Sequence, residues 1–329
     1  MGHLTLKSTD RIRAAPFNIR HSGDGTILTR GNTSIRVSGE LARSVVDCVL
    51  ATRHRIVRID DILAQFNTED RLSIEEFLEH LLQKRLLVKE DEAELLVDGA
   101  TESPAAVFYW DFGLNAADVL NKIRTVRIEV VGVNSLSQAV ASQLHRIGFE
   151  QFASPTIEIG DRPENNFTAG KPDLVVAATD LDGQASLLPW NAYCIEEQIE
   201  FLPVMLESTR GTIGPWVVPG QTACLNCMRS RQNSNLNDYL STRAAQSVPY
   251  NGSHPALAEV VGSLAGWEIA KRFTGLPGWK AGICVTFRSL ECRLTSHRVL
   301  RIARCEHCSR RNSQAPVNIE EYEFAAGER

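Results

Sequence analysis

The stretch Val126-Arg-Ile-Glu-Val-Val-Gly-Val-Asn-Ser-Leu-Ser137 decides the fold. Val126–Val131 is a continuous apolar run, the pattern of a strand that a parallel sheet covers on both faces. Gly132 closes it, and Ser135–Ile147 follows with apolar residues at helical spacing. Downstream, Thr156–Ile159 and Asp173–Ala178 read as strands, Leu187–Glu197 as a helix and Phe201–Leu206 as a strand. Strand and helix alternating in this way predict an α/β domain with a doubly wound parallel sheet. Ala256–Phe273 is a long apolar helix in which Gly262 and Gly266 permit close packing. Strands Ile283–Phe287 and Glu291–Leu294 follow it.

Upstream the pattern changes. Phe17–Arg20, Thr26–Arg30 and Thr33–Val37 are short β-prone runs separated by Ser22-Gly-Asp-Gly25 and Gly31-Asn32, the second gap short enough for a tight hairpin. Three helical stretches follow. Ser38 is placed to cap the first, with Leu41, Val45, Val46, Val49 and Leu50 on one face. Arg58–Phe66 is the second, and Ser73-Ile-Glu-Glu76 reads as a capping box opening the third, which carries Phe77, Leu78, Leu81, Leu82 and Leu86. Three strands followed by three helices give a winged-helix-like outline. The expected organisation is a small domain over residues 1–99, a linker over 100–107, an α/β domain over 108–312 and a polar tail over 313–329. Phe108-Tyr-Trp110 is read as packing against the second domain.

The 329 residues carry 35 Lys+Arg against 40 Asp+Glu, a net charge of −5, which argues against a chain devoted to neutralising nucleic-acid phosphate. Between Asp24 and Ala100, 15 acidic residues outnumber 10 basic ones, and Glu75, Glu76 and Glu79 on the third helix oppose its insertion into a DNA groove. With 43% apolar and 23% charged residues the composition is globular. No apolar run approaches the roughly 20 residues a membrane span needs, and the N-terminus lacks the apolar segment of a secretory signal. The expectation is a cytoplasmic protein that engages neither membrane nor nucleic acid.

Eight cysteines divide into two kinds. Cys48, Cys194, Cys284 and Cys292 stand alone and read as small buried hydrophobes. Cys224-Leu-Asn-Cys227 and Cys305-Glu-His-Cys308 form two C-x-x-C pairs, 78 positions apart, too far for a local finger but suited to a clamp that ties the C-terminal segment to the body of its domain. Four soft thiolates around a tetrahedral ion read as structural zinc, with an iron–sulfur cluster or two unrelated thiol pairs as alternatives. The turn after Val131 is Gly132-Val-Asn-Ser-Leu-Ser137. Only the first of the glycines that let a pyrophosphate approach the backbone is present; Asn134 and Ser137 occupy the other two places. Asp180, at a strand end, reads as a cap or a Mg²⁺ ligand.

Three segments carry a resemblance to a known family. Gly214-Pro-Trp-Val-Val-Pro-Gly-Gln-Thr-Ala-Cys-Leu-Asn-Cys227, His254-Pro-Ala-Leu257 with the helix after it, and Tyr109–Leu120 leading into Val126–Gly132 resemble the ThiF-like cyclodehydratase C proteins of thiazole/oxazole-modified peptide (TOMM, RiPP) biosynthesis. The resemblance implies a ThiF/MoeB-like fold with a four-cysteine zinc site, and the N-terminal outline is similar to a PqqD-like RiPP recognition element. It further implies a non-catalytic subunit, used in antibiotic or bacteriocin biosynthesis. Such a subunit binds the leader of a ribosomal precursor peptide and presents its core to a YcaO-family, ATP-dependent azoline-forming partner. Carried onto this chain, the leader adds beside Thr33, Ser34, Ile35, Arg36 and Val37 and packs on Phe77, Leu78 and Leu81, although Phe77, Leu81 and Leu82 taken singly read more readily as core of the small domain. Zinc would be held by Cys224, Cys227, Cys305 and Cys308. A homodimer is left open.

The chain also departs from the active adenylating relatives. Asp161-Arg-Pro-Glu-Asn-Asn166 stands where they carry an Asn-Leu-Asn-Arg-Gln-like segment, and no cysteine lies between Met228 and Ile283, where a thioester-forming one is found in conjugating members. The alternative reading, an ATP-dependent adenylating enzyme acting on a peptide or sulfur carrier, is weakened accordingly.

Overall fold

The computed structural model describes residues 6–7, 9–22, 25–31, 33–51, 55–90, 97–98, 101–102, 104–152, 155–161, 163, 170–180, 183–234 and 252–309. The chain divides into two compact units, Met1–Val119 and Leu120–Arg329.

In the first unit, β1 (Arg11–Ala14) is followed by an antiparallel meander of β2 (Asn18–Ser22), β3 (Gly25–Arg30) and β4 (Thr33–Ser38). Helix α1 (Glu40–Ala51), the short β5 (Val57–Arg58), α2 (Ile59–Leu63), α3 (Arg71–Gln83) and β6 (Leu87–Lys89) come next. The three central strands and three helices lie close to where the sequence puts them. The sequence did not announce β1, which sits between β5 and β6 in a separate antiparallel sheet. The capping box expected at Ser73 is absent, because a 3₁₀ turn over Thr68–Asp70 runs into the helix at Arg71 and leaves Ser73 inside it. Leu28, Val37, Val45, Val46, Val49, Ile74, Leu78 and Leu81 share one core.

After the two-residue strands β7 (Val97–Asp98) and β8 (Thr101–Glu102), the chain forms α4 (Pro104–Asp111), which contains Phe108-Tyr-Trp110. Trp110, read from the sequence as packing against the second domain, is buried within its own unit against Ala15 and Val88, with the Arg30 guanidinium 4.0 Å from its ring centre. Arg30 also pairs with Asp111 at 2.9 Å and donates to the Arg85 carbonyl oxygen. An aromatic face and an ion pair thus fasten α4 back onto the strands.

Helix α5 (Ala116–Arg124) leads into the second unit: β9 (Arg127–Val131), α6 (Ser135–Ile147), β10 (Gln151–Phe152), β11 (Leu174–Thr179), α7 (Leu188–Glu196), β12 (Glu200–Glu207), β13 (Arg210–Ile213), α8 (Leu225–Ser234), α9 (Pro255–Thr274), β14 (Ile283–Arg288) and β15 (Arg293–Arg298). Seven strands form one sheet in the order β10-β9-β11-β12-β13-β14-β15. The first four are parallel, as expected, whereas β13, β14 and β15 return antiparallel, so the sheet is mixed. The strand expected at Thr156–Ile159 falls instead at Gln151–Phe152, paired to Arg127 and Ile128. The last strand lies at Arg293–Arg298 rather than 291–294.

Alternation divides the core. Leu174, Val176, Ala178, Leu202, Val204 and Leu206 meet α6 and α9 on one face; Val175, Ala177, Phe201 and Met205 meet α7 and α8 on the other. Gly262 lets α9 approach α6, since a Cβ there would lie 2.6 Å from the Ala139 Cβ and 2.9 Å from its carbonyl carbon. Cys194 and Cys284 are buried as expected. Cys48 is half-buried and Cys292 is exposed, because the turn between β14 and β15 carries it away from the core.

Candidate metal centre and switch point

Helix α8 starts one residue after Cys224, which brings Cys224 and Cys227 into a single turn. The Leu225 backbone N–H donates to the buried Asn191 Oδ1 on α7 at 3.0 Å, fixing where the helix begins. The second pair lies in the turns after β15. There Arg301 donates to the carbonyl oxygens of Gly220 (2.9 Å) and Cys308 (2.8 Å), and Arg231 of α8 donates to those of Leu300 and Arg301. These bonds hold the C-terminal segment against the helix without help from sulfur.

All four Sγ atoms lie within 4.8 Å of one another, and all four cysteines are buried. Cys224 Sγ is 3.8 Å from Cys227 Sγ and 3.5 Å from Cys305 Sγ, and Cys227 Sγ is 3.5 Å from Cys308 Sγ. A tetrahedron with metal–sulfur bonds near 2.3 Å has edges of about 3.8 Å. The cluster therefore has the dimensions of a tetrathiolate site. Two donors point at sulfur, the Ile302 N–H to Cys227 at 3.5 Å and the Asn226 amide to Cys305 at 3.7 Å, and both favour thiolates. Hydrogen bonds from Cys224 and then Cys308 hold the Cys227 thiol well below the ordinary range, while those to Cys227 and then Cys308, with burial, raise Cys224. The residues fit a structural zinc ion, which would cross-link α8 to the C-terminal segment. With four protein ligands, no coordination position remains for water or substrate. By contrast, burial pushes the lone Cys284 thiol up to about 11 and raises Cys194, as suits inert core positions.

The second place of interest is the crevice where the parallel strand order reverses, beyond the carboxyl ends of β9 and β11, where doubly wound sheets bind ligands. Gly132 there has φ +114°, and a Cβ on it would lie 2.2 Å from the Ala178 carbonyl oxygen, so no other residue fits. Asn134 caps α6: its Oδ1 accepts from Ser137 N at 2.9 Å, and Ser137 Oγ accepts from Asn134 N at 3.2 Å. Its Nδ2 donates to the Ala178 carbonyl oxygen at 2.7 Å. This side chain therefore spans the turn from β9 to β11, across the approach that a glycine would leave open to phosphate. Asp180 is buried just past β11 and caps none of the described helices, so its reading as a cap does not hold. Of the segment Asp161–Asn166, residues 162 and 164–166 lie outside the described residues.

The remaining expected positions fall in the first unit. Strand β4 pairs with β3 in the register Thr29↔Ser34, Leu28↔Ile35, Ile27↔Arg36 and Thr26↔Val37, and no described strand pairs with its other edge. Ser34 and Arg36 are exposed, Thr33 and Ile35 half-buried, and Val37 buried. Phe77 keeps part of its surface, whereas Leu78 and Leu81 are 0% and 1% exposed. Those two are core residues in this structure.

Solved structures share this arrangement of chain. The heterocyclase TruD matches with a TM-score of 0.63 over 91% of this chain at 20% identity, and a heterocyclase in complex with substrate and cofactor matches with 0.61 over 91% at 18%. E. coli MccB matches with 0.67 over 92% at 14%. The fold is that of TruD and MccB. The chain spans 97% of MccB but less than half of either heterocyclase, 43% and 40%. No protein-family model and no curated protein sequence matches the chain. The sequence reasoning had picked out the four cysteines and β4. It missed the strap from Asn134 to Ala178, for which only the replaced glycine was a signal, and the fastening of Trp110 by Arg30, for which there was none.

Proposed function

We propose that this chain is the non-catalytic subunit of a peptide cyclodehydratase complex in RiPP biosynthesis. In this reading residues 1–99 act as a PqqD-like recognition domain that takes the leader of a ribosomal precursor peptide onto the open edge of β4. Residues 108–312 form a ThiF-like, zinc-stapled platform. The assembly presents the precursor core to a separate YcaO-family, ATP-dependent partner that forms the azoline. The observation that carries the reading is the outer edge of β4, Thr33–Ser38, along which no described strand runs; the outward N–H and C=O groups of such an edge are a template for an added strand. Support comes from two sides. Proteins of the same fold have been solved with a bound partner, MccB with MccA and a heterocyclase with substrate and cofactor. The heterocyclases are also more than twice as long, so they hold a further part beyond the one that shares this fold. In the leader interface Thr33, Ser34, Ile35, Arg36 and Phe77 form the contact surface, Val37 offers only its backbone edge, and Leu78 and Leu81 support it from within.

Titration calorimetry with the leader of the neighbouring precursor peptide tests this, with binding expected from the single chain and its absence counting against the proposal. The adenylating alternative draws on MccB having been solved with ATP and on buried Asp180 at the switch point. Exchange of labelled pyrophosphate into ATP by the purified chain with leader and core peptide would establish it. The Asn134 strap favours no exchange.

A further inference from the structure

The seven-stranded sheet of the second unit ends in β15, and the two faces of that strand differ in chemistry. No described strand runs along its outer side, and five of its six residues are exposed. Arg293, Thr295 and His297 lie on one face, beside Arg288, Thr286 and Cys284 of β14. Leu294, Ser296 and Arg298 lie on the other, beside Phe287, Val285 and Ile283. Arg293 thus stands directly opposite Arg288, a like-charge pair that disfavours the bare strand. Glu291 pairs with Arg288 at 3.5 Å, and Glu207 lies opposite Arg210 in the same row. Among the described residues no acid stands opposite Arg293, His297 or Arg298. On the second face Leu294 is 52% exposed, although its partner Phe287 packs against the core. The edge is basic on one side and apolar, with one arginine, on the other.

The sequence after Ser309, outside the described residues, contains a segment of matching chemistry. Ile319-Glu-Glu-Tyr-Glu-Phe324 carries three acids, two aromatic residues and no base. In an extended chain Glu321 and Glu323 fall on one side, and Glu320, Tyr322 and Phe324 on the other. The connection is long enough. Arg301, just past β15, donates to the Cys308 carbonyl oxygen at 2.8 Å, so the chain leaves the cysteine cluster near the Arg298 end of the strand. Residues 309–319 span at most roughly 36–40 Å when extended, about twice the length of a six-residue strand. A segment entering at that end runs antiparallel to β15. With Glu320 opposite Arg298, Tyr322 falls opposite Ser296 and Phe324 opposite Leu294. Glu321 then faces His297, and Glu323 faces Thr295, diagonal to Arg293. One register satisfies both faces at once. We infer that Glu320–Phe324 of the chain itself docks along β15 as an added outer strand. A second copy of β15 is a poorer occupant, since it brings the same arginines and histidine to the edge. The docked segment closes the sheet against strands of other chains, and it is independent of the leader-binding reading at β4.

Cysteine pairs in the full-length chain test the register, with the half-buried Cys48 and the exposed Cys292 changed to Ser. Ser296→Cys with Tyr322→Cys should form an intrachain disulfide under mild oxidation, because opposite residues of a strand pair stand about 5 Å apart. His297→Cys with Tyr322→Cys, on opposite faces, should not. A disulfide between chains, equal linking by both pairs, or no linking by either would overturn the inference. Hydrogen exchange in the full-length chain with its native cysteines reads the docking equilibrium directly. Changing Arg293 and Arg298 together to Glu should lower the protection of the outward β15 amides by roughly five- to tenfold. Adding Glu320→Lys and Glu323→Lys to that variant should restore most of the loss. Unchanged protection in the arginine variant, or no recovery in the combined one, refutes the docking of this segment.

Discussion

Replacing Asn134 tests whether the switch point is closed. In Asn134→Ala the α6 N-terminus loses an acceptor for Ser137 N, a cap worth roughly 1 kcal/mol. The Ala178 carbonyl oxygen also loses the amide donor now at 2.7 Å, worth roughly another 1 kcal/mol in a part-buried setting. Ser137 Oγ still has the Asn134 carbonyl oxygen as a partner, so no further penalty arises there. The sum is about 2 kcal/mol, or a fall in Tm of about 4–8 °C for a domain of this size. Asn134→Asp separates the two contributions. Its carboxylate keeps the cap and adds a favourable charge at the helix N-terminus, worth about 0.3–1 kcal/mol, but it turns the strap into two oxygens facing each other. It should fall between the parent and Asn134→Ala. Urea unfolding followed by circular dichroism, with an unchanged m-value, reads both variants. An Ala variant within about 0.5 kcal/mol of the parent, or an Asp variant as stable as the parent, would show that the strap is not made. The closure of the crevice would then lose its physical basis, because a phosphate drawn to the α6 N-terminus would have no amide to displace.

Three further outcomes follow from the same structure. Gly262→Ala gains about 1 kcal/mol of helix propensity but drives a methyl into the α6 backbone; a net loss of roughly 1–2 kcal/mol is expected by urea unfolding, against near-neutrality for the exposed Ser263→Ala on the same helix. The purified chain should hold about one zinc by elemental analysis; Cys227→Ser should abolish that content and lower Tm, Cys292→Ser should do neither, and acidification should release the metal because four thiolates must take up protons. Asp10 is held below its ordinary value of 3.8 by its hydrogen bond to Lys89 and then by the Lys7 backbone N–H. A lowered carboxylate stabilises the fold above the unfolded-state value and loses that contribution as pH falls through the folded value. The stability gap between the parent and Asp10→Asn should therefore be full near neutral pH and close below about 3.8; a gap that persists at about pH 2 would refute the pairing.

Local periodicity made most of the elements legible. Ser135–Ile147 is a helix over the expected residues because its apolar spacing and its cap are both written locally. The β2–β3–β4 meander was readable from alternation broken by Gly-rich gaps. Failures came where the deciding interaction is distant. Thr156–Ile159 has the composition of a strand, yet the two residues that pair with β9 are Gln151 and Phe152. Ser73 matches a capping box, yet the turn before it had already started the helix. Phe108-Tyr-Trp110 has no local signal of its partner, and the Arg30 guanidinium, 80 positions earlier, stacks on Trp110.

Taken alone, the sequence determined that this is an α/β chain whose first part runs short strands into three helices, that its four paired cysteines suit one tetrahedral ion, and that its phosphate turn lacks two glycines. These are properties of residue type and spacing, which survive without coordinates. Only the tertiary structure decided that the sulfurs stand at tetrahedral edge lengths, that Asn134 bridges to Ala178, that Leu78 and Leu81 are core, and that Arg288 and Arg293 share a face. Each of those depends on strand register and helix packing between residues far apart in the chain. Register shifts of a single residue exchange the two faces of a strand, so no local pattern specifies them.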